Sequence, residues 1–131
     1  MGCLVVSATV AEAAHVPDRF PLVVTGLGKV APTVGTTRAL AAYDELDDLV
    51  VVNVGTAGAL RDGVSGLRLP GVVLNHDING DAIRALGYDP QERLEVADGG
   101  PTVLASVDVF VTVPTVRQRL AAQAHLVDME G

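Results

Sequence analysis

Three short segments carry residue types that could bind and polarise a polar ligand. Val51-Val52-Asn53-Val54-Gly55-Thr56-Ala57-Gly58 runs from a β-branched stretch into small residues. Glycines there let backbone approach a ligand closely, and Thr56 offers a hydroxyl beside free N–H groups. Taken alone, Gly55 and Gly58 serve a tight turn equally well. Thr25-Gly26-Leu27-Gly28-Lys29-Val30-Ala31 is a second glycine pair. It completes neither the dinucleotide-binding G-x-G-x-x-G, since Ala31 stands third, nor a P-loop. In Val127-Asp128-Met129-Glu130-Gly131 a carboxylate at the end of an apolar run could accept two hydrogen bonds from a sugar diol. A fourth acidic candidate, Glu12, follows the first apolar run.

The elements that must position these residues are strands and helices in alternation. Leu4 to Val6, Leu22 to Thr25, Gly71 to Leu74 and His125 to Asp128 have strand length, and Val107 to Val113 is a further candidate. Leu49 to Val54 is continuous and β-branched rather than alternating, which predicts a strand buried on both faces. Apolar Val30, Val34, Leu40, Ala41 and Leu46 recur at helical spacing, predicting a helix over 29–46 with Pro32 in its first turn. A second helix is expected over 115–124, with Pro114 as its start signal. Residues 61–70 and 75–102 are rich in Gly, Asp, Asn and Pro and are expected to be loops. Strand, helix, buried strand is the βαβ pattern, so a mixed, largely parallel central sheet flanked by helices follows, in one domain spanning 1–131.

Composition narrows the function. The chain is 49% hydrophobic and 19% charged over 131 residues, which suits a packed domain. Its net charge is −7 and Lys29 is the only lysine, so no basic surface is available to displace counterions from nucleic acid. Cys3 is the only cysteine and cannot form an intramolecular disulfide, which fits a reducing compartment. No stretch approaches the ~18 apolar residues of a membrane span, and the N-terminus lacks the basic start of a signal peptide. The expectation is a cytoplasmic protein without metal or organic cofactor. With aromatics at only 3%, Phe20, Tyr43, Tyr88 and Phe110 are the rings available for stacking.

Gly26-Leu27-Gly28-Lys29-Val30-Ala31, Asn53-Val54-Gly55-Thr56-Ala57-Gly58 and Asp128-Met129-Glu130, in that order and with Glu12 after the first strand, form a set. The set resembles the nucleoside phosphorylase/nucleosidase superfamily, closest to the methylthioadenosine/S-adenosylhomocysteine nucleosidases. What the resemblance implies is a homo-oligomer, a dimer by preference, that cleaves a purine nucleoside. Glu12 matches the acidic residue that orients or activates the attacking water. Thr56, Ala57 and Gly58 match the turn lining the ribosyl and base region, and Leu27 an apolar wall of the sugar pocket. Asp108-Val109-Phe110-Val111 resembles a strand whose aromatic ring, here Phe110, stacks on the purine and whose next residue, Val111, contacts the base through its backbone. Met129 would pack under the sugar and Glu130 hold its hydroxyls. His76-Asp77 resembles the family's His-Asp loop loosely; His15, His76 and His125 are expected to be structural or solvated.

Family phosphorylases place an Arg just before the glycine turn and a Gly-Asp-Pro segment after the first strand. Here Asn53 and Ala8-Thr9-Val10-Ala11-Glu12 stand there. A carboxylate repels a phosphate dianion, which favours water as nucleophile, hence hydrolysis over phosphorolysis. Arg38 or Arg61 could still reach an anion, so a phosphorylase remains the alternative. The family also carries a later strand with a Ser-Asp pair, whose Asp protonates the purine, and a further helix. Neither has a counterpart up to Gly131, so a domain incomplete at its C-terminus is expected, and a non-catalytic nucleoside binder is the third possibility.

Overall fold

The first strand, β1 (Gly2–Ser7), is central because both its edges find parallel partners, β2 (Leu22–Val24) and β3 (Leu49–Asn53). Val5 stands opposite Leu22 on one side and Val52 on the other. Leu4 to Ser7 are buried as a result, and Leu4 is among the largest fully buried side chains. Residues 1–131 are all described by the computed structural model. They divide into two compact units, Met1–Thr56 with Glu130, and Ala57–Met129 with Gly131.

In the first unit, helix α1 (Val30–Leu40) connects β2 to β3 and packs back on the end of β2. Gly35 makes that approach possible: a Cβ there would lie 3.2 Å from Thr25 Cγ2. Pro32 is buried in the first turn, as the sequence predicts. The helix ends at Leu40 rather than Leu46. Arg38 suits the negative end of the helix dipole, whereas Asp44, Glu45, Asp47 and Asp48 would repel it if the helix ran on.

Strand β3 is not buried on both faces. It is the outer strand of its sheet, and Val50, Val51 and Val52 are 45, 41 and 37% exposed. A run of valines reports β-propensity, but the place of a strand in its sheet depends on which neighbours pair with it. β1, less conspicuous in sequence, took the centre.

The second unit holds a five-stranded mixed sheet in the order β4-β8-β7-β5-β6. Its strands are β4 (Gly58–Ala59), β5 (Pro70–Asn75), β6 (Arg93–Glu95), β7 (Gly100–Ser106) and β8 (Leu126–Asp128). β5, β7 and β8 are parallel, while β4 and β6 close the edges in antiparallel sense. Two helices belong to it, α2 (Gly80–Ala85) and α3 (Pro114–Ala121). Leu60, Ala105, Val107, Leu120 and Ala124 form its buried cluster, so α3 packs on β7 through Leu120. Both sheets with their helices make an α/β protein of mixed, mainly parallel pairing.

Two expectations are corrected here. Residues 107–113 are not a strand; the strand lies earlier, as β7, and ends at Ser106. The Asp77 carboxylate accepts a hydrogen bond from the Asp108 N–H and turns the chain out of the sheet. Nor is 75–102 one loop, since it holds α2, β6 and the start of β7. Its polar residues are caps and turns: Asn79 Oδ1 accepts from Ala82 N at 3.1 Å and starts α2. The bulge between β5 and β7 needs glycine, because a Cβ on Gly71 would meet Gly100 O at 2.1 Å.

Candidate active site

Beyond Ser7 the chain leaves β1 into a succession of turns that begins at Thr9, with Ala13 N donating to Thr9 O at 3.2 Å. Glu12 is thereby carried to the turn that leaves β3. Its Oε1 accepts from the Thr56 N–H at 2.9 Å and from the Thr56 hydroxyl at 2.7 Å. Oε2 accepts from the Thr9 hydroxyl at 2.8 Å. Gly55 lies directly beside the carboxylate: a Cβ there would stand 3.4 Å from Oε1, in ordinary contact. Burial pushes the Glu12 carboxyl upward, but the hydrogen bonds from Thr56 and Thr9 outweigh it and hold the group below its ordinary value. Glu12 is therefore a carboxylate at neutral pH.

The turn after β2 holds the second carboxylate. Gly26 and Gly28 have φ of +96° and +86°, a left-handed backbone that favours glycine. Gly26 N is tied to Ala8 O at 3.0 Å, so the loop lies against the end of β1. Gly28 N donates to Glu130 Oε1 at 3.2 Å, although 102 residues separate them in sequence. Leu27, between the two glycines, is 66% exposed.

An apolar cavity of about 360 Å³ adjoins Glu12. Val5, Val52 and Val54 form its sheet side and Val16, Pro17 and Phe20 its turn side; Cys3 also lines it, and Glu12 and His15 are its polar groups. Phe20 is further held under the Arg19 guanidinium, 4.6 Å from the ring centre. Sequence reasoning did not assign Thr9 or Phe20 a place here. For Thr9 a signal existed, since Thr9-x-x-Glu12 is the spacing of a capping box. Phe20 had none, because its approach to the sheet depends on the path of the intervening turns.

The remaining candidates lie in the second unit. Gly58 pairs with Val127 across β4 and β8, and a Cβ on Gly58 would meet Val127 Cγ1 at 3.2 Å. Ala57 is exposed just before β4 and Met129 half-buried just after β8. Phe110 is 82% exposed on the segment after β7, while Val111 packs against the buried cluster. His125 Nδ1 accepts from Val103 N at 3.0 Å, a structural role as expected. Arg84, beside a second cavity, is held by Asp81 at 2.8 Å and Glu92 at 2.6 Å. No group of three or more His, Cys, Asp or Glu side chains is placed to hold a metal ion. No helix is long and apolar enough to cross a membrane.

The strand order and the glycine turns at strand ends define an α/β protein of mainly parallel pairing, with carboxylates held at the turns. No family model and no curated protein matches the sequence. Among solved structures, the chain is similar to Helicobacter pylori 5′-methylthioadenosine/S-adenosyl homocysteine nucleosidase in complex with a substituted pyrrolidin-3-ol. That match has a TM-score of 0.78 at 20% identity and covers 100% of this chain and 75% of the other. Helicobacter pylori futalosine hydrolase matches with a TM-score of 0.77, 20% identity and the same coverage. The Neisseria meningitidis 5′-methylthioadenosine/S-adenosylhomocysteine nucleosidase, bound to methylthio-immucillin-A, matches with a TM-score of 0.76 at 18% identity, over 99% of this chain and 76% of its own. At these identities the likeness is one of fold.

Proposed function

We propose that this protein hydrolyses the N-glycosidic bond of a purine nucleoside, an adenine nucleoside such as methylthioadenosine or S-adenosylhomocysteine being the substrate of first choice. The observation that carries the proposal is the Glu12 carboxylate seated on Thr56. The Thr56 N–H and hydroxyl are the donors that an anion at this glycine turn would need, and both are given to Glu12. A phosphate nucleophile finds a negative charge there instead, whereas water finds an acceptor. The fold likeness to nucleosidases and a hydrolase supports the same class of reaction.

In this reading the C1′–N9 bond breaks and its electrons leave with the base, which takes up a proton from solvent water. The ribosyl centre becomes oxocarbenium-like, as in glycoside hydrolysis. Glu12 holds the water that attacks C1′ and accepts its proton as the new C–O bond forms. Glu130, presented by the Gly28 loop, binds the ribose hydroxyls and stabilises the positive charge, and Leu27 forms an apolar wall of the sugar pocket. For the second unit the proposal keeps the base contacts of Phe110 and Val111, the turn residues Ala57 and Gly58, and the sugar contact of Met129. A cytoplasmic homodimer remains the proposed state.

The test is release of adenine from methylthioadenosine and adenosine, followed by chromatography, with and without inorganic phosphate. Hydrolysis predicts free ribose sugar at equal rates in both buffers. Product only with phosphate, as the sugar 1-phosphate, would make the protein a phosphorylase. Calorimetric binding without any turnover would make it a nucleoside-binding domain.

A further inference from the structure

We infer that Thr9 is a positioning residue, which holds the Glu12 carboxylate in one orientation through a reciprocal pair of hydrogen bonds. The Glu12 N–H donates to Thr9 Oγ1 at 3.2 Å, and the same hydroxyl donates to Glu12 Oε2 at 2.8 Å. The first bond fixes where the hydroxyl oxygen sits; the second then directs its only hydrogen at the carboxylate. A hydroxyl that accepts while it donates is polarised, so each bond strengthens the other. Thr56 anchors only Oε1, from across the turn after β3. Without Thr9 the carboxylate would be held at Oε1 alone and could pivot about that anchor, so the direction Oε2 presents to a water would be less sharply set.

No charge substitutes for this hydroxyl. The facing strand and turn, Leu49 to Thr56, contain no titratable side chain, and β1 contributes only Cys3. On the segment that carries Glu12, His15 shares the cavity, and Asp18 and Arg19 follow, Arg19 being stacked on Phe20. The loop after β2 brings Lys29 and Glu130 to the same end of the sheet, but the hydrogen bonds to Glu12 come from Thr56 and Thr9. The orientation and acidity of Glu12 thus depend on neutral donors, two from Thr56 and the hydroxyl of Thr9. That dependence makes Thr9 separable from a residue that merely supports the turn.

The inference deepens the proposed hydrolysis, but its first test does not require turnover. The chain has five glutamates, so their side-chain carboxyl carbons can be titrated individually by NMR, with Glu12→Gln identifying the Glu12 signal. Thr9→Val is expected to move the Glu12 midpoint to higher pH, and Thr9→Ser to restore it. Should Thr9→Val fail to fold, Thr9→Ala is read in the same titration. An unchanged midpoint in the folded variant would overturn the inference, whether or not the protein proves to be an enzyme. Where hydrolysis is observed, Thr9→Val should lower kcat about tenfold with KM nearly constant, the loss of one hydrogen bond to a charged group. The acid limb of its pH profile should shift to higher pH, and Thr9→Ser should recover both. A wild-type chain without turnover would refute the proposed function and leave the NMR result to decide the role of Thr9.

Discussion

Glu12→Gln isolates the energetic role of the Glu12 charge, because the amide has nearly the carboxylate's shape. Its oxygen can still accept from Thr56, so the turn after β3 keeps its partner. What disappears is the charge, together with the acceptor for the Thr9 hydroxyl, because the amide nitrogen that replaces Oε2 can only donate. A hydrogen bond to a charged group contributes roughly 1.5–3 kcal/mol when well buried. Glu12 is only half-buried and Thr56 is exposed, so solvent screening reduces the whole set to about 1–2 kcal/mol. The sign follows from the lowered pKa. The unfolded carboxyl titrates near 4.5 and the folded one below it, so the stabilisation is complete above 4.5 and is lost as pH falls through the folded value. Amide hydrogen exchange of Leu4, Val5 and Val6 in β1 reports the stability of the first unit. At pH 7 their protection factors should drop about 5- to 30-fold in Glu12→Gln, and the two proteins should converge as the pH is taken well below 4.5. An equal difference at both pH values would show that the loss comes from packing and not from the charge.

Other outcomes follow from the same geometry. Glu130→Gln should weaken binding of adenosine about tenfold by calorimetry, the loss of a charged acceptor for the ribose hydroxyls. Leu120→Ala removes the side chain by which α3 joins the buried cluster of the second unit and should cost about 2–5 kcal/mol in urea unfolding. Gly71→Ala forces a methyl group onto Gly100 O. It should strip exchange protection from β5 and β7 while leaving that of β1 unchanged.

Much of the fold was legible because local chemistry and pairing agree. Val5 and Val6, Leu22 to Val24, and Val72 to Leu74 lie in strands where their apolar side chains predict them, and Pro32 and Pro114 lie in the first turns of α1 and α3. The departures have separate causes. α1 stops six residues early, where acidic residues meet the wrong end of its dipole. The strand expected at 107–113 gives way because one carboxylate, Asp77, captures the Asp108 N–H.

By itself the sequence determined the strands and helix of the first unit, the glycine turns at strand ends and the residue types of the candidate site, since these follow from short-range sterics and hydrophobic spacing. Only the tertiary structure decided which strand is central and what the site carboxylates touch. Leu49 to Asn53 is the strongest strand signal and yet lies at an edge, because pairing depends on partners distant in the chain. Glu12 and Thr56 are 44 residues apart, and Gly28 and Glu130 are 102 apart. Parallel β1, β2 and β3 end on the same side and bring the turns after them within hydrogen-bonding distance. A motif scan sees glycines, a threonine and two acids; the sheet makes of them two carboxylates with defined donors.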